Sequence, residues 1–410
     1  MPSARFLQVS DLHLGSSWGW LPPPRRDERR REQRRALEEC VAQAIERGMH
    51  AILIPGDLFD REDVDADTLA FAVHAFDDPG CPPVFIAPGN HDPWSDTGPC
   101  WSPRLLAARG WTWPDHVHVF TSAGWTARPL PEMPVSIWGR CFTSGVPSLE
   151  RPLEPRALAA VGPPDPPGLH VALFHGSREG CCPPSQNVTA PFSDDEARLS
   201  PFAYMAVGHY HTAPRFEDEG GTAAAGVRLA YAGSALALDT TEVGPHGALE
   251  VRIEYGTDRP RVEVEFVELD RRRVHDVVVD VTGAASADQV DRRVQQRLDE
   301  VQASDRDLAT VRLTGRLVRG VRYGGPAQEL RDRVFHLRVD LRGVRPDYDL
   351  DAYRRGSPGT TEARFARALL DGLDAERDPE QRAIIESALY YGLDAFRLRE
   401  VQPAYEELGE

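Results

Sequence analysis

The chain has 410 residues, with 64 acidic against 47 basic side chains and a formal net charge of −17. Every one of those 47 basic residues is arginine, which excludes a Gly-Lys-Ser/Thr phosphate loop, a kinase-type nucleotide lysine and Schiff-base chemistry. A 41% hydrophobic and 27% charged composition is that of a folded chain, and no run of about 18 apolar residues marks a membrane span.

The first apolar run, Phe6–Ser10, reads as a strand leading into Asp11-Leu12-His13. It lacks the long apolar centre of a signal peptide, so a cytoplasmic protein without membrane association is expected. Arg25, Arg26, Arg29 and Arg30, followed by Arg31, Arg34 and Arg35, crowd the start of a helix whose apolar stripe is Leu37, Val41, Ile45 and Met49. Cations at that end oppose the helix dipole. Two readings stand: a phosphate backbone passes them, or the interleaved Asp27, Glu28 and Glu32 pair with them along a solvated face.

A second strand, Ala51–Ile54, runs into Gly56-Asp57-Leu58-Phe59-Asp60. A helical stripe, Leu69, Val73 and Phe76, precedes a third strand at Pro83–Ala87 and Gly89-Asn90-His91-Asp92. Strands follow at Val135–Trp138, at Leu169–Phe174 ahead of His175-Gly176, and at Tyr204–Val207 ahead of Gly208-His209-Tyr210-His211. Strands alternating with helices, and polar clusters at strand ends, predict an α/β layered fold. Val227–Tyr231, Ala248–Tyr255 and Val262–Leu269 come in succession without helices and predict an antiparallel portion.

Residues 270–345 hold 16 Arg against 12 acidic residues, a local net of +4, and residues 346–410 hold 8 against 15, a net of −7. The first block reads as a small α/β domain. It has strands at Val274–Val281, Ala309–Leu317 and Val334–Leu341, and a helix opened by a Ser286-x-x-Gln289 capping box. Pro346–Thr361 reads as a linker. Two amphipathic helices follow, one with Phe365, Leu369 and Leu373, the other with Ile385, Leu389, Leu393 and Phe396. The expected parts are therefore 1–269, 270–345 and 346–410. The six cysteines show no CxxC spacing and read as reduced thiols.

Neutral imidazole and carboxylate are the usual ligands of first-row divalent metals, and glycine lets backbone approach closely. Asp11 and His13, two apart at a strand end, are expected to share a face and one ion. One such motif is weak; five at successive strand ends are specific. Asp60 is expected to cap the following helix or brace a ligand, and Asp92 to support its own loop. Trp18, Trp20 and Trp94 follow metal motifs in loops and either stack on unpaired bases or pack those loops onto the core.

The series DxH, GDLFD, GNHD, HG and GHxH resembles the calcineurin-like metallophosphoesterase superfamily. GDLFD, GNHD, Tyr231-Ala232-Gly233-Ser234, Gly244-Pro245-His246-Gly247 and the long C-terminal extension resemble its SbcD branch of DNA repair exonucleases. The resemblance implies a four-layer α/β/β/α sandwich with a smaller C-terminal α/β cap and terminal helices. It implies two divalent ions, one on Asp11, His13, Asp57 and His211, the other on Asp57, Asn90, His175 and His209, with Asp57 shared. Manganese is the family's usual metal, with iron, zinc and magnesium open to the same donors. His91 would be the general acid. Asp60, where archaeal and eukaryotic relatives carry a DNA-contacting histidine, is assigned no such contact.

The implied activity is exonuclease and endonuclease cleavage of DNA in double-strand-break end processing. The implied partner is an SbcC-like coiled-coil ATPase, with a homodimer and a nucleoid location also in view. Phe365, Leu369, Ile385, Leu389 and Phe396 would dock that ATPase, or fold back on the cap. The alternatives are a small-molecule or protein phosphoesterase of the same superfamily, and an end-sensing scaffold with little activity of its own.

Overall fold

The computed structural model describes residues 2–165, 168–182, 186–212, 228–256, 260–318, 321–346 and 348–398. The chain divides into two compact units, Met1–Arg271 and Arg272–Glu410. The first unit begins with β1 (Ser3–Gln8), α1 (Pro23–Glu46), β2 (Ala51–Ile54), α2 (Ala66–Ala75), β3 (Val84–Ile86), α3 (Pro103–Ala108) and β4 (Val117–Val119). It continues with β5 (Thr126–Pro129), β6 (Val135–Gly139), β7 (Leu169–His175), α4 (Asp194–Leu199) and β8 (Tyr204–Gly208). It ends with β9 (Leu229–Tyr231), β10 (Gly247–Glu254) and β11 (Arg261–Glu268).

These strands form two sheets, β11-β10-β1-β2-β3-β4 and β5-β6-β7-β8-β9. Their facing sides share one core, with Phe6, Leu53, Phe85 and Val251 from the first sheet against Ile137, Val171, Leu173 and Ala206 from the second. The outer face of the first sheet packs on Leu37, Cys40 and Val41 of α1, Leu69 and Ala72 of α2 and Leu106 of α3. The outer face of the second packs Phe174 and Val207 against Phe192, Phe202 and Ala197 of α4. This is an α/β/β/α sandwich. Strands buried on both sides read as continuous apolar runs, which is why Ala51–Ile54 and Leu169–Phe174 are legible in the sequence.

Three local expectations change. Strand β9 pairs parallel to β8, so the expected antiparallel succession holds for β10 with β11 and with β1, and β5 with β6 adds an antiparallel pair elsewhere; Val227 itself lies outside the described residues. Strands β4 and β5 appear where none is expected. In α1 the inner stripe is Gln33, Ala36, Leu37, Cys40, Val41 and Ala44, whereas Ile45 is exposed and Met49 lies past the helix end.

The second unit contains β12 (Val274–Asp280), α5 (Ala287–Glu300), β13 (Leu308–Leu317), α6 (Gln328–Arg331) and β14 (His336–Pro346). It closes with α7 (Leu350–Arg355), α8 (Thr361–Ala375) and α9 (Pro379–Leu398). Its three strands pair in parallel, and Val290, Val294 and Leu298 of α5 cover one face. Helix α5 starts at Ser286, whose side chain accepts the Gln289 N–H, while the Gln289 side chain bonds the Ala285 N–H. Helix α7 lies within the stretch expected to be a linker. Helices α8 and α9 pair through Ala366, Leu370, Leu389 and Leu393. Leu389 is fully buried in that pairing and offers no surface to a partner, which corrects its expected docking role. Phe365 meets Phe396 at 5.5 Å, Leu369 and Ile385 are half-buried, and Ile384 and Phe396 are exposed. Among the described residues no helix is long and apolar enough to cross a membrane.

Candidate metal centre

The motif loops gather where β1, β2, β7 and β8 end. Asp11 and His13 lie beyond the end of β1, not on it, and both adopt left-handed backbone, with φ of 50° and 47°. That conformation, rather than strand alternation, aims the two side chains at one place. Asp57 (φ 51°) and His209 (φ 112°) share the strained region, and backbone of this kind persists only where its surroundings over-determine it. The loops zip together through Asp11 N–H to Gly56 O (3.2 Å), His13 N–H to Asp57 O (3.0 Å) and Leu14 N–H to Leu58 O (2.8 Å). From outside, Gln33 of α1 donates to both Leu12 O and His13 O at 2.8 Å. Gly89 faces Asp57 so closely that a Cβ there would overlap the carboxylate.

Asp57 stands at the middle. Its Oδ2 lies 3.7 Å from His13 Nε2 and 3.3 Å from His175 Nε2, while its Oδ1 accepts the His91 N–H at 3.0 Å. Ligand atoms of Asp11, His13 and His211 lie within 4.8 Å of one another, as do those of Asp11, Asp57 and His175, and those of His13, Asp60 and His91. Three buried atoms there have no hydrogen-bond partner: His13 Nε2, His175 Nε2 and Asn90 Oδ1. Stranding such atoms away from water costs about 1–3 kcal/mol each, and a cation between them removes that cost.

The opposite ring nitrogens are all engaged. His175 Nδ1 faces Pro55 O at 3.0 Å, His209 Nε2 faces Asn187 O at 2.7 Å, His211 Nδ1 faces Glu242 Oε1 at 2.8 Å and His13 Nδ1 faces Asp60 Oδ1 at 3.3 Å. A carbonyl or carboxylate only accepts, so each of these nitrogens carries a proton, and the other offers a lone pair to a metal once the ring is neutral. His209 joins none of the three clusters. Its ring sits edge-on to His175 at 5.1 Å, and its N–H donates to both Asp11 oxygens at 3.2 Å.

Burial alone would lower His175, but Asp57 outweighs it and lifts the imidazole to about 9. Burial would likewise raise Asp57, and His175 and His13 hold it well below the carboxylate range. His209 is pushed down to about 4 by burial and by the neighbouring His175. Burial beside Asp57 pushes Asp92 well up, even though its oxygens accept Gly89 N–H at 2.7 Å and Phe59 N–H at 3.1 Å. A pocket that retains a proton on a fully buried imidazole has a field that favours positive charge. Histidine nitrogen with carboxylate and amide oxygen is a donor set for a first-row divalent ion, so the residues present fit the metal.

His91 is exposed at the rim. Its Nδ1 faces Asp60 O at 3.0 Å and its ring lies 4.6 Å from that of His13. The expected DNA-facing group needs correction in two members. Arg29 is fully buried, with its guanidinium forked onto Asp270 (3.1 and 2.9 Å), bonded to Glu32 (2.8 Å) and Ala237 O (2.9 Å), and 5.1 Å over the buried Trp18 ring. Neither Arg29 nor Trp18 offers a surface to DNA. Trp20 is half-buried and donates to Leu238 O, and Trp94 packs against the helix-side core. Arg25 and Arg26 are half-buried, Arg26 bonding Leu21 O at 3.0 Å, and Arg30 is exposed, 3.8 Å from Asp27.

Glu242, Gln186 and Asn187 touch the histidines without being legible in the sequence. Gln186 Nε2 donates to His209 O at 2.5 Å. None of the three belongs to a ligand motif, and only the folded chain brings them to the strand ends.

No curated protein matches the chain. Among solved structures, the TT1561 protein of Thermus thermophilus is similar at 15% identity, over 66% of this chain and 100% of its own, with a TM-score of 0.34. A dimetal phosphatase from Danio rerio is similar at 14% identity, over 65% of this chain and 98% of its own, with a TM-score of 0.36. The calcineurin-like phosphoesterase model matches residues 4–212. That segment is half of the chain and carries all seven expected ligands, so the chain belongs to the calcineurin-like phosphoesterase family.

Proposed function

We propose that the protein is a two-metal phosphodiesterase that cleaves DNA, as exonuclease and endonuclease, in the processing of broken ends. The observation that carries the hydrolytic part is Asp57 Oδ2 set between two buried imidazole nitrogens that lack hydrogen-bond partners. Asp11, His13, Asp57 and His211 would hold one ion, and Asp57, Asn90, His175 and His209 the other, with manganese as the working metal. Ions there would draw charge from phosphoryl oxygens and acidify water for attack.

The chain's own groups divide the remaining work. Asp57 spans the two halves, so its position sets their spacing. His91 keeps Nδ1 against Asp60 O, which leaves Nε2 to deliver a proton to the leaving oxygen at the exposed rim. Gln33 and Gly89 keep the loops from drifting, and small displacements of reacting groups are expensive.

Support for DNA as substrate is the resemblance of GDLFD, GNHD and the Tyr231–Ser234 segment to SbcD-type nucleases. An ATPase partner of the SbcC type accords with a chain that has no lysine for a phosphate loop. The test is a manganese-dependent assay on labelled hairpin and duplex DNA beside bis-nitrophenyl phosphate, with and without an SbcC-type ATPase. Cleavage of hairpin and duplex is expected. Cleavage of the small diester but never of DNA, under either condition, would assign a small-substrate phosphoesterase instead. Neither substrate cleaved under either condition would assign an end-sensing scaffold.

A further inference from the structure

The contact between His211 Nδ1 and Glu242 Oε1, 2.8 Å, is one arm of a closed hydrogen-bonded unit. Glu242 Oε2 accepts the Leu238 N–H at 2.8 Å. The carbonyl of Glu242 lies 2.9 Å from His246 Nε2, and His246 Nδ1 lies 2.9 Å from Ser234 Oγ. Because a carbonyl only accepts, His246 Nε2 carries the proton, and the Ser234 hydroxyl has His246 Nδ1, His211 O (3.2 Å) and Glu242 Oε2 (3.3 Å) in reach. Ser234 N–H donates in turn to His211 O at 2.8 Å. His246 and Ser234 are buried, Glu242 and His211 are half-buried, and the unit holds the backbone of residue 242 against the strand end that carries His211.

We infer that Glu242 is the positioning residue of His211: its carboxylate captures Nδ1–H and turns the Nε2 lone pair toward Asp11 and His13. The geometry stands by itself, and its consequence for metal rests on the two-ion reading above. The chemistry calls for a carboxylate in particular. One oxygen accepts from the ring and the other from the Leu238 amide, whereas a glutamine offers a single acceptor and must abandon one of them. Acceptors behind a ligating histidine fix its tautomer and raise its basicity, and losing one weakens metal affinity about 10–100-fold.

The experiment compares the full chain with E242A and E242Q. Long-range proton–nitrogen correlation on metal-free, histidine-labelled protein at alkaline pH reports the tautomer directly. In the wild type His211 is expected as the Nδ1–H form, and in E242A as a mixture with Nε2–H. Manganese titration followed by electron paramagnetic resonance should give two ions in the wild type. In both variants it should leave one ion unchanged and weaken the other about 10–100-fold, with unaltered far-ultraviolet circular dichroism. An unchanged tautomer in folded E242A, or wild-type affinity for both ions in E242Q, overturns the inference. If E242A does not fold, the E242Q titration decides. A wild type that binds no divalent ion sinks the two-ion reading alone, because the tautomer comparison still decides the role of Glu242.

Discussion

At the scale of single residues, the centre is organised by which nitrogen of each histidine is taken. The motifs name the histidines, but their tautomers follow from Pro55 O, Asn187 O, Glu242 and Asp60, which no motif spacing announces. His91 differs from the other four in being exposed at the rim, where it is free to move a proton. His91→Ala should therefore leave manganese stoichiometry intact and lower turnover of a diester about 10²–10⁴-fold; full activity would remove it from the acid role. The pH response separates protein from metal. His175 in the metal-free chain is raised from 6.5 to about 9, so its pairing with Asp57 stabilises fully below pH 6.5 and is lost as pH rises through about 9. Metal needs the neutral ring, so its stabilisation runs the opposite way and grows over the same interval. Melting curves at pH 6.5 and 9, with chelator and with manganese, should converge at the lower pH and spread apart at the higher one. A chelated protein that melts no lower at pH 9 would contradict the pairing.

At the scale of elements, continuous apolar strands were readable because burial on both faces leaves no polar positions, whereas β4 is three residues long and β5 is exposed along its length. The Asp11–His13 geometry was unreadable for another reason: left-handed backbone at non-glycine residues is imposed by the neighbouring Gly56–Leu58 loop, not by local preference. Helix α1 illustrates the limits of composition. It starts at Pro23 with no side-chain cap and no acidic residue in its first turn, so its arginine-rich start is unfavourable by the helix dipole. What offsets this is tertiary. Arg29 turns inward to Asp270 and Gln33 to the Asp11–His13 loop, although an arginine cluster reads as a surface. Arg29→Ala would take the forked guanidinium away from the buried Asp270 carboxylate, a loss of about 3–5 kcal/mol. Urea unfolding should show it as a lower midpoint, and a change below about 1 kcal/mol would mean that water reaches the pair. Charge-preserving Arg29→Lys should recover only part, because a lysine cannot reproduce the two-pronged contact.

At the scale of the whole molecule, the net charge of −17 argues against strong sequence-independent affinity for DNA, so if the proposed nuclease function holds, a lone chain should bind it weakly and lose it steeply with salt. Such binding, measured by fluorescence anisotropy between low and physiological salt, tests whether the local excess of arginine in residues 270–345 forms a usable face. The division of the chain is a sharper matter. All seven expected ligands, His91, Glu242 and the cores beneath them lie within the unit that ends at Arg271, and of its last two residues Arg271 makes an exposed 3.8 Å contact with Glu39 whereas Asp270 is buried. Asp270 receives Arg29 and also accepts the Ala237 N–H at 3.0 Å, so it ties α1 to the segment that leads toward Glu242. A chain cut after residue 271 should fold, bind metal and cleave bis-nitrophenyl phosphate at a rate near that of the full protein. One cut after residue 269, two residues shorter, removes the forked carboxylate partner of Arg29, leaving it Glu32 and Ala237 O, and should lose about 3–5 kcal/mol, with a correspondingly weaker hold on Leu238, Glu242 and His211. Equal melting temperatures for the two truncations would show that the Arg29–Asp270 pair does not close the unit. A difference of several degrees, with metal affinity falling in step, would mean that an ion pair remote from the metal stabilises both the sandwich and its centre.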